Sequence, residues 1–108
     1  MNFYKSKQWR TKQPKILRRD EYLCQECKRY GRSTAATTVH HIIPLNWCLL
    51  FNKALALIGI NLVSLCGQCH NKMHDRDTNQ LTPMGLEWVK RLGDKGQEWI
   101  EQYGAQAW

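Results

Sequence analysis

The chain has 108 residues, of which 43% are hydrophobic and 23% charged, with a formal net charge of +7. That length holds one domain with a small core, and such a core often needs an added staple. The longest apolar stretch, Leu45 to Leu57, is interrupted by Asn46, Asn52 and Lys53, so no membrane span is expected. Five cysteines are an odd number, and Met1 to Lys7 has no apolar signal segment. Both observations argue against a disulfide framework and for a reducing, cytoplasmic setting. The charge is uneven. Residues 1–32 hold ten Lys/Arg and three Asp/Glu, whereas residues 33–108 hold six of each. A basic first third, interleaved with Tyr4, Trp9 and Tyr22, suits a polyanion such as nucleic acid.

In chain order, residues 1–5 read as extended, and Ser6 is the cap of a helix starting at Lys7. Pro14 makes residues 7–20 either one kinked helix or two short ones, with Ile16 and Leu17 inward and Arg18 and Arg19 outward. Tyr22 to Cys27 is a strand end turning through a knuckle, and Lys28 to Thr34 a basic turn. Ala35 to Ile43 is rich in residues that favour a pleated surface, and Pro44 ends it. Asn46 caps an expected helix over Trp47 to Ile58, stopped by Gly59. Ile60 to Leu65 is a second β segment. A helix carrying His70 and His74 follows and runs to Asp75 or Arg76. Thr82-Pro83 opens a further helix that ends at Gly93, with Leu81 and Leu86 as its hydrophobic staple. A last short helix covers Gln97 to Tyr103. No internal repeat is present. This divides the chain into a basic arm (1–21), a core (22–80) and a C-terminal helical extension (81–108), together one compact unit.

Two knuckles, Cys24-x2-Cys27 and Cys66-x2-Cys69, are separated by 38 residues. Each offers two thiolates from a tight turn, and four thiolates complete a tetrahedral zinc shell. Such a zinc is structural and staples the domain. Cys48 lies in the apolar helix, where a buried and inert thiol is expected.

All four histidines fall into two clusters, His40-His41 and His70-x3-His74. Adjacent residues on a strand point to opposite faces, and residues four apart on a helix share one. His40, His70 and His74 are therefore read as three neutral ligands of a divalent ion with open positions, a hydrolytic site. His41, turned the other way, is the candidate general base, kept neutral by the nearby ion and the basic arm. Asn61, between the clusters, is grouped with His41 as the residue that fixes the loop presenting it. Arg18, Arg19 and Lys72 are the candidate phosphate contacts.

The set His40-His41, Asn61, His70 and His74 resembles the HNH (ββα-metal) endonucleases. The paired knuckles resemble their zinc-stapled branch. The wider set comprises Phe3-Tyr4-Lys5-Ser6-x2-Trp9, Leu17-Arg18-Arg19-Asp20, His40-His41-Ile42-Ile43-Pro44, Asn61-Leu62-Val63-Ser64-Leu65-Cys66 and Cys69-His70-Asn71-Lys72. It resembles small phage and prophage HNH endonucleases, which are often encoded beside the DNA-packaging terminase.

The resemblance covers about residues 3–92. It implies a small α+β fold: a ββα-metal, treble-clef-like core with a structural zinc and flanking N- and C-terminal helices. It implies a metal-dependent DNA phosphodiester hydrolase of the bacterial host's cytoplasm. His40 binds the ion, His41 activates water, and the ion stabilises the leaving 3′-oxygen. Double-stranded DNA is met mainly through its backbone, and the terminase is raised as a second partner. One site per chain naturally makes a nick, and a double break needs a dimer, a second visit or a partner.

Two departures from the family pattern stand out. Pro14 interrupts what is commonly a continuous helix. His40 replaces an Asp common among relatives, which moves the expected metal from magnesium towards manganese, nickel or zinc. The rival reading is a zinc-knuckle nucleic-acid-binding module without catalysis, with one metal per chain. A further rival is an adaptor that docks a partner through Trp88, Trp99, Tyr103 and Trp108.

Overall fold

The computed structural model describes residues 2–108. The first residues do not extend. Asn2 accepts the Tyr4 N–H at 2.9 Å and opens one 3-10 turn, Phe3–Lys5. Ser6 then caps α1 (Lys7–Arg19), its hydroxyl accepting the Trp9 N–H. Of the two arrangements that Pro14 allows, the chain takes the single helix. An interior proline costs about 3 kcal/mol. Burial of Trp9 and Ile16, seven apart on the inner face, offsets it at roughly 1.5–3 kcal/mol for each large side chain. Beyond α1, Glu21 and Tyr22 both sit in the left-handed region, with φ of 57° and 59°. The Tyr22 N–H reaches back to the Leu17 carbonyl at 2.8 Å and holds that reversal.

Cys24 caps α2 (Gln25–Arg29), its sulfur facing the Cys27 N–H at 3.5 Å. Leu23 pairs with Ala35 in a single antiparallel bridge, the expected strand end, and the knuckle then opens a short helix. Strands β1 (Thr38–His41) and β2 (Leu62–Leu65) form one antiparallel pair, with His40 opposite Val63 and His41 opposite Leu62. The period of two then sorts the side chains. Val39 and Leu62 join Trp9 and Ile16 in a small core beneath α1. Val63 and Leu65 join the cysteines, Met73, Trp88, Val89 and Trp99 in the main core.

The helix expected over Trp47 to Ile58 is divided. α3 spans Leu45–Phe51, followed by 3-10 turns at Lys53–Leu57 and Gly59–Asn61. Asn52 turns extended, at φ −157° and ψ 83°, which stops α3. The Leu55 carbonyl is then taken by the Asn61 amide at 3.3 Å. Asn46 does not cap the helix; its amide donates to the Trp108 carbonyl at 2.6 Å, and Pro44 occupies the cap position.

α4 (Gly67–Asn71) is likewise shorter than expected, and ends before His74. The Met73 carbonyl accepts the Thr82 N–H at 3.0 Å, and His74 pairs with Leu81 in a single antiparallel bridge. Tertiary pairing thus replaces the continued helix. α5 (Pro83–Lys90) starts as its sequence indicates, with the Thr82 hydroxyl accepting the Gly85 N–H. α6 (Asp94–Tyr103) starts three residues earlier than Gln97, after Gly93 at φ 91°. Gly96 permits close packing of α6 on α5, because a Cβ there would run into the Val89 carbonyl oxygen. No helix is long and apolar enough to cross a membrane among the described residues.

Candidate active site and metal centres

The ligand atoms of Cys24, Cys27, Cys66 and Cys69 all lie within 4.8 Å of one another, and all four residues are buried. The Cys27 sulfur is 4.0 Å from that of Cys66 and 3.8 Å from that of Cys69. Tetrahedral zinc with Zn–S near 2.3 Å requires sulfur separations of about 3.8 Å. A zinc ion therefore fits the set. Its chemistry fits as well. Burial pushes the Cys24 and Cys69 thiols up, while Cys27 is lowered to about 7, chiefly by a side-chain hydrogen bond from Thr34. A divalent cation is what would let four clustered thiols ionise together. The clamp joins α2, which precedes β1, to the start of α4, which follows β2, and so closes the Thr38–Leu65 end of the strand pair.

The histidines meet at a cleft of about 460 Å³, whose lining includes all four imidazoles. His40 projects from β1 towards α4. Its ring centroid lies 5.5 Å from that of His70 and 6.0 Å from that of His74. This set is looser than the thiols. Two features of it would suit a cation. His40 Nε2 is buried without a hydrogen-bond partner, and His74 Nδ1 meets the Asn79 carbonyl at 3.2 Å, leaving its Nε2 free. Burial, with the neighbouring histidines, holds His40 well below the usual imidazole value; burial also lowers His70. Neutral rings are what metal ligation needs.

His41 leaves the strand on the other side. Its Nε2 lies 3.0 Å from the Ala56 carbonyl. A carbonyl only accepts, so the Nε2–H donates and Nδ1 carries the lone pair. Burial lowers the pKa of this ring too, against the opposing effect of the Ala56 bond. The indole of Trp9 stacks on it, with centroids 5.0 Å apart and planes at 26°. Phe3 meets its edge at 5.5 Å.

Asn61 is fully buried and lies outside the cleft. Its Oδ1 accepts the Ile43 N–H at 2.7 Å, and its Nδ2 faces the Ile43 and Leu55 carbonyls at 3.2 and 3.3 Å. It ties the end of β1 to the turn that presents the Ala56 carbonyl to His41. Cys48, also buried, lies 3.8 Å from the same amide; burial pushes its thiol up to about 12.

The three basic candidates separate. Arg19 donates to the Gly59 and Leu62 carbonyls at 2.9 and 2.8 Å and pairs with Asp20. The Asp20 carboxylate in turn accepts the Ser64 N–H at 3.0 Å. Expected at phosphate, Arg19 instead fastens α1 to the turn and strand that carry Asn61. Arg18 and Lys72 are both exposed, and neither makes an ion pair among the described residues. Sequence reasoning missed the Ala56 carbonyl, which has no side-chain signature. It also missed the stacking of Trp9, read there only as an aromatic among charges. The spacing of Trp9 and Ile16 on one helix face was the available signal. Gln13, Asn46 and Trp108 line the cleft as well.

A strand pair bearing adjacent histidines, a short helix bearing a third, and a four-cysteine clamp beneath them define a ββα-metal nuclease fold. The comparisons agree. The HNH endonuclease family matches residues 24–76. A probable HNH endonuclease of Lactococcus phage SK1 is 34% identical over 70 residues, 65% of this chain and 72% of that one. The crystal structure of the deep-sea thermophilic bacteriophage GVE2 HNH endonuclease with manganese ion is similar with a TM-score of 0.56 and 40% identity. That similarity covers 64% of this chain and 71% of that one. The chain belongs to the HNH endonuclease family and is a nuclease of that class.

Proposed function

We propose that the protein hydrolyses DNA phosphodiester bonds in a metal-dependent reaction, with His41 as the general base. One observation carries the reading. The Ala56 carbonyl accepts the Nε2–H of His41, so the basic Nδ1 is left free on a ring that lines the same cleft as His40, His70 and His74. His40, His70 and His74 would hold the divalent ion, which when bound supplies positive charge to the scissile phosphate and the leaving 3′-oxygen. His41 Nδ1 takes a proton from water, the water oxygen bonds to phosphorus, and the P–O3′ bond breaks. Asn61 and the Ala56 carbonyl keep the ring in place while its charge changes. Arg18 and Lys72, exposed and without ion pairs among the described residues, contact phosphates away from the cut.

The four thiols hold zinc, separate from the reacting ion. Manganese is the metal named for the GVE2 nuclease, and it suits the histidine site here, with nickel and zinc next. The phage origin of the similar proteins supports a role in processing phage DNA in the host cytoplasm, beside the packaging terminase. The basic arm (1–21) and the C-terminal helices (81–108) flank the nuclease core (22–80).

Supercoiled plasmid is the test. Zinc-loaded wild type and His41→Ala are compared after loosely bound metal is stripped and magnesium, manganese, nickel or zinc is restored. Wild type is expected to nick, with manganese the most effective, and His41→Ala to be slower by at least roughly a hundredfold. Equal rates would remove His41 from the chemistry. DNA binding with one metal per chain and no cleavage would favour the binding module.

A further inference from the structure

We infer that Trp9 is a positioning residue for the general base: its indole fixes the tilt of the His41 ring and so aims Nδ1 into the cleft. The inference rests on the assignment of His41 above. The hydrogen bond from Nε2 to the Ala56 carbonyl at 3.0 Å fixes one end of the imidazole, and Cβ fixes the other. Rotation about the line through those two atoms remains free. That rotation swings Nδ1, the atom that takes the proton, towards or away from the cleft. A flat partner against the ring face removes it. Trp9 supplies one, at 5.0 Å and 26°, and Phe3 closes the edge at 5.5 Å and 72°.

Trp9 is itself held. It is only 3% exposed, is packed with Ile16, Val39 and Leu62, and is pinned at its backbone N–H by the Ser6 hydroxyl. Tyr4 lies edge-on to both rings, 5.7 Å from Trp9 and 6.3 Å from His41. Residues 3–9 thus bring an aromatic wall against the base, and Tyr4 and Trp9 line the same cleft as His40, His70 and His74. A base displaced by an ångström loses roughly a hundredfold in rate, which gives this wall a kinetic consequence beyond its packing.

The test uses Trp9→Phe, which retains a ring face, and Trp9→Leu, which retains only volume and hydrophobicity. Ile16→Ala, in the same small core but not against His41, controls for lost stability. Steady-state cleavage is measured with thermal unfolding. Trp9→Leu is expected to lose roughly tenfold or more in kcat with KM within about twofold, Trp9→Phe to recover most of it, and Ile16→Ala to keep kcat despite a lower Tm.

A second readout needs no activity: the ring protons of His41 in the zinc-loaded protein without the second metal. In wild type they should be displaced chiefly by the indole ring current, and Trp9→Leu should reduce that displacement to the smaller part due to Phe3 and Tyr4. Wild-type kcat in folded Trp9→Leu would overturn the inference, as would equal kcat losses in Trp9→Leu and Ile16→Ala. An undisplaced His41 ring in wild type would do the same. Failure of wild type to cut DNA with any metal would instead overturn the function proposed above, and the ring protons would still decide the stack.

Discussion

Asn61 holds Ile43 on both of its backbone groups: Oδ1 accepts the Ile43 N–H at 2.7 Å and Nδ2 faces the Ile43 carbonyl at 3.2 Å. The same amide reaches the Leu55 carbonyl, next to the residue that bonds His41. Asn61→Ala leaves these buried groups unpaired, at about 1–3 kcal/mol each. The expected outcome is a fall of roughly 3 kcal/mol or more in unfolding free energy by urea titration. At temperatures where the variant is folded, kcat should fall while DNA affinity is retained, because Asn61 does not reach the cleft. Loss of affinity with unchanged kcat would place Asn61 at the substrate instead.

Arg18 and Arg19 are neighbours with different tasks. Arg19 commits its donors to the Gly59 and Leu62 carbonyls and to Asp20. Arg19→Ala should lower the denaturant midpoint and leave the salt dependence of DNA binding unchanged. Arg18→Ala and Lys72→Ala should each reduce the slope of log K against log[salt] by about 0.9 and leave stability alone. Fluorescence anisotropy with a labelled duplex at several salt concentrations separates the two cases.

The four thiols and the three imidazoles predict opposite consequences of metal loss. A zinc held by four thiolates contributes about 10–16 kcal/mol of apparent binding, as much as the roughly 5–15 kcal/mol stability of a typical domain. Cys27→Ser, or a strong chelator, should unfold the core and release one zinc per chain, read by circular dichroism and a colorimetric zinc assay. His70→Ala should keep that zinc and the fold and lose only the second metal. Unfolding of His70→Ala would contradict this division.

Burial depresses the pKa values of His40, His41 and His70 in the absence of the second metal. The unfolded chain, with imidazoles near about 6.5, then binds more protons than the folded one. Stability from these groups is complete above about pH 6.5 and is lost as the pH falls towards the lower folded values. Urea titrations of the zinc-loaded protein from about pH 8 to 5 should show that decline. It should be shallower in His40→Asn/His70→Asn, whose zinc clamp titrates in the same way and cancels in the comparison.

The sequence by itself determined the chemistry and its local settings. Two C-x2-C pairs specify a tetrahedral thiolate shell whatever the path between them. Adjacent histidines on a strand must diverge, so His40 and His41 were bound to face different surroundings. The Ser6 and Thr82 caps were legible because capping is a contact within three residues. The tertiary structure decided what depends on distant partners. The Asn61 amide draws the Leu55 carbonyl aside and Asn52 turns extended, so the expected helix divides there. The bridge from His74 to Leu81 stops α4 early, yet His74 still reaches the cluster. Arg19 looked free on the helix surface because the carbonyls that claim it lie 40 and 43 residues away. The stack of Trp9 on His41 joins residues 32 apart in a chain whose local pattern marks only a buried aromatic. Local propensity acts over a turn or two, whereas seating His41 between Trp9 and the Ala56 carbonyl requires α1, β1 and the turn at Ala56 to be assembled first.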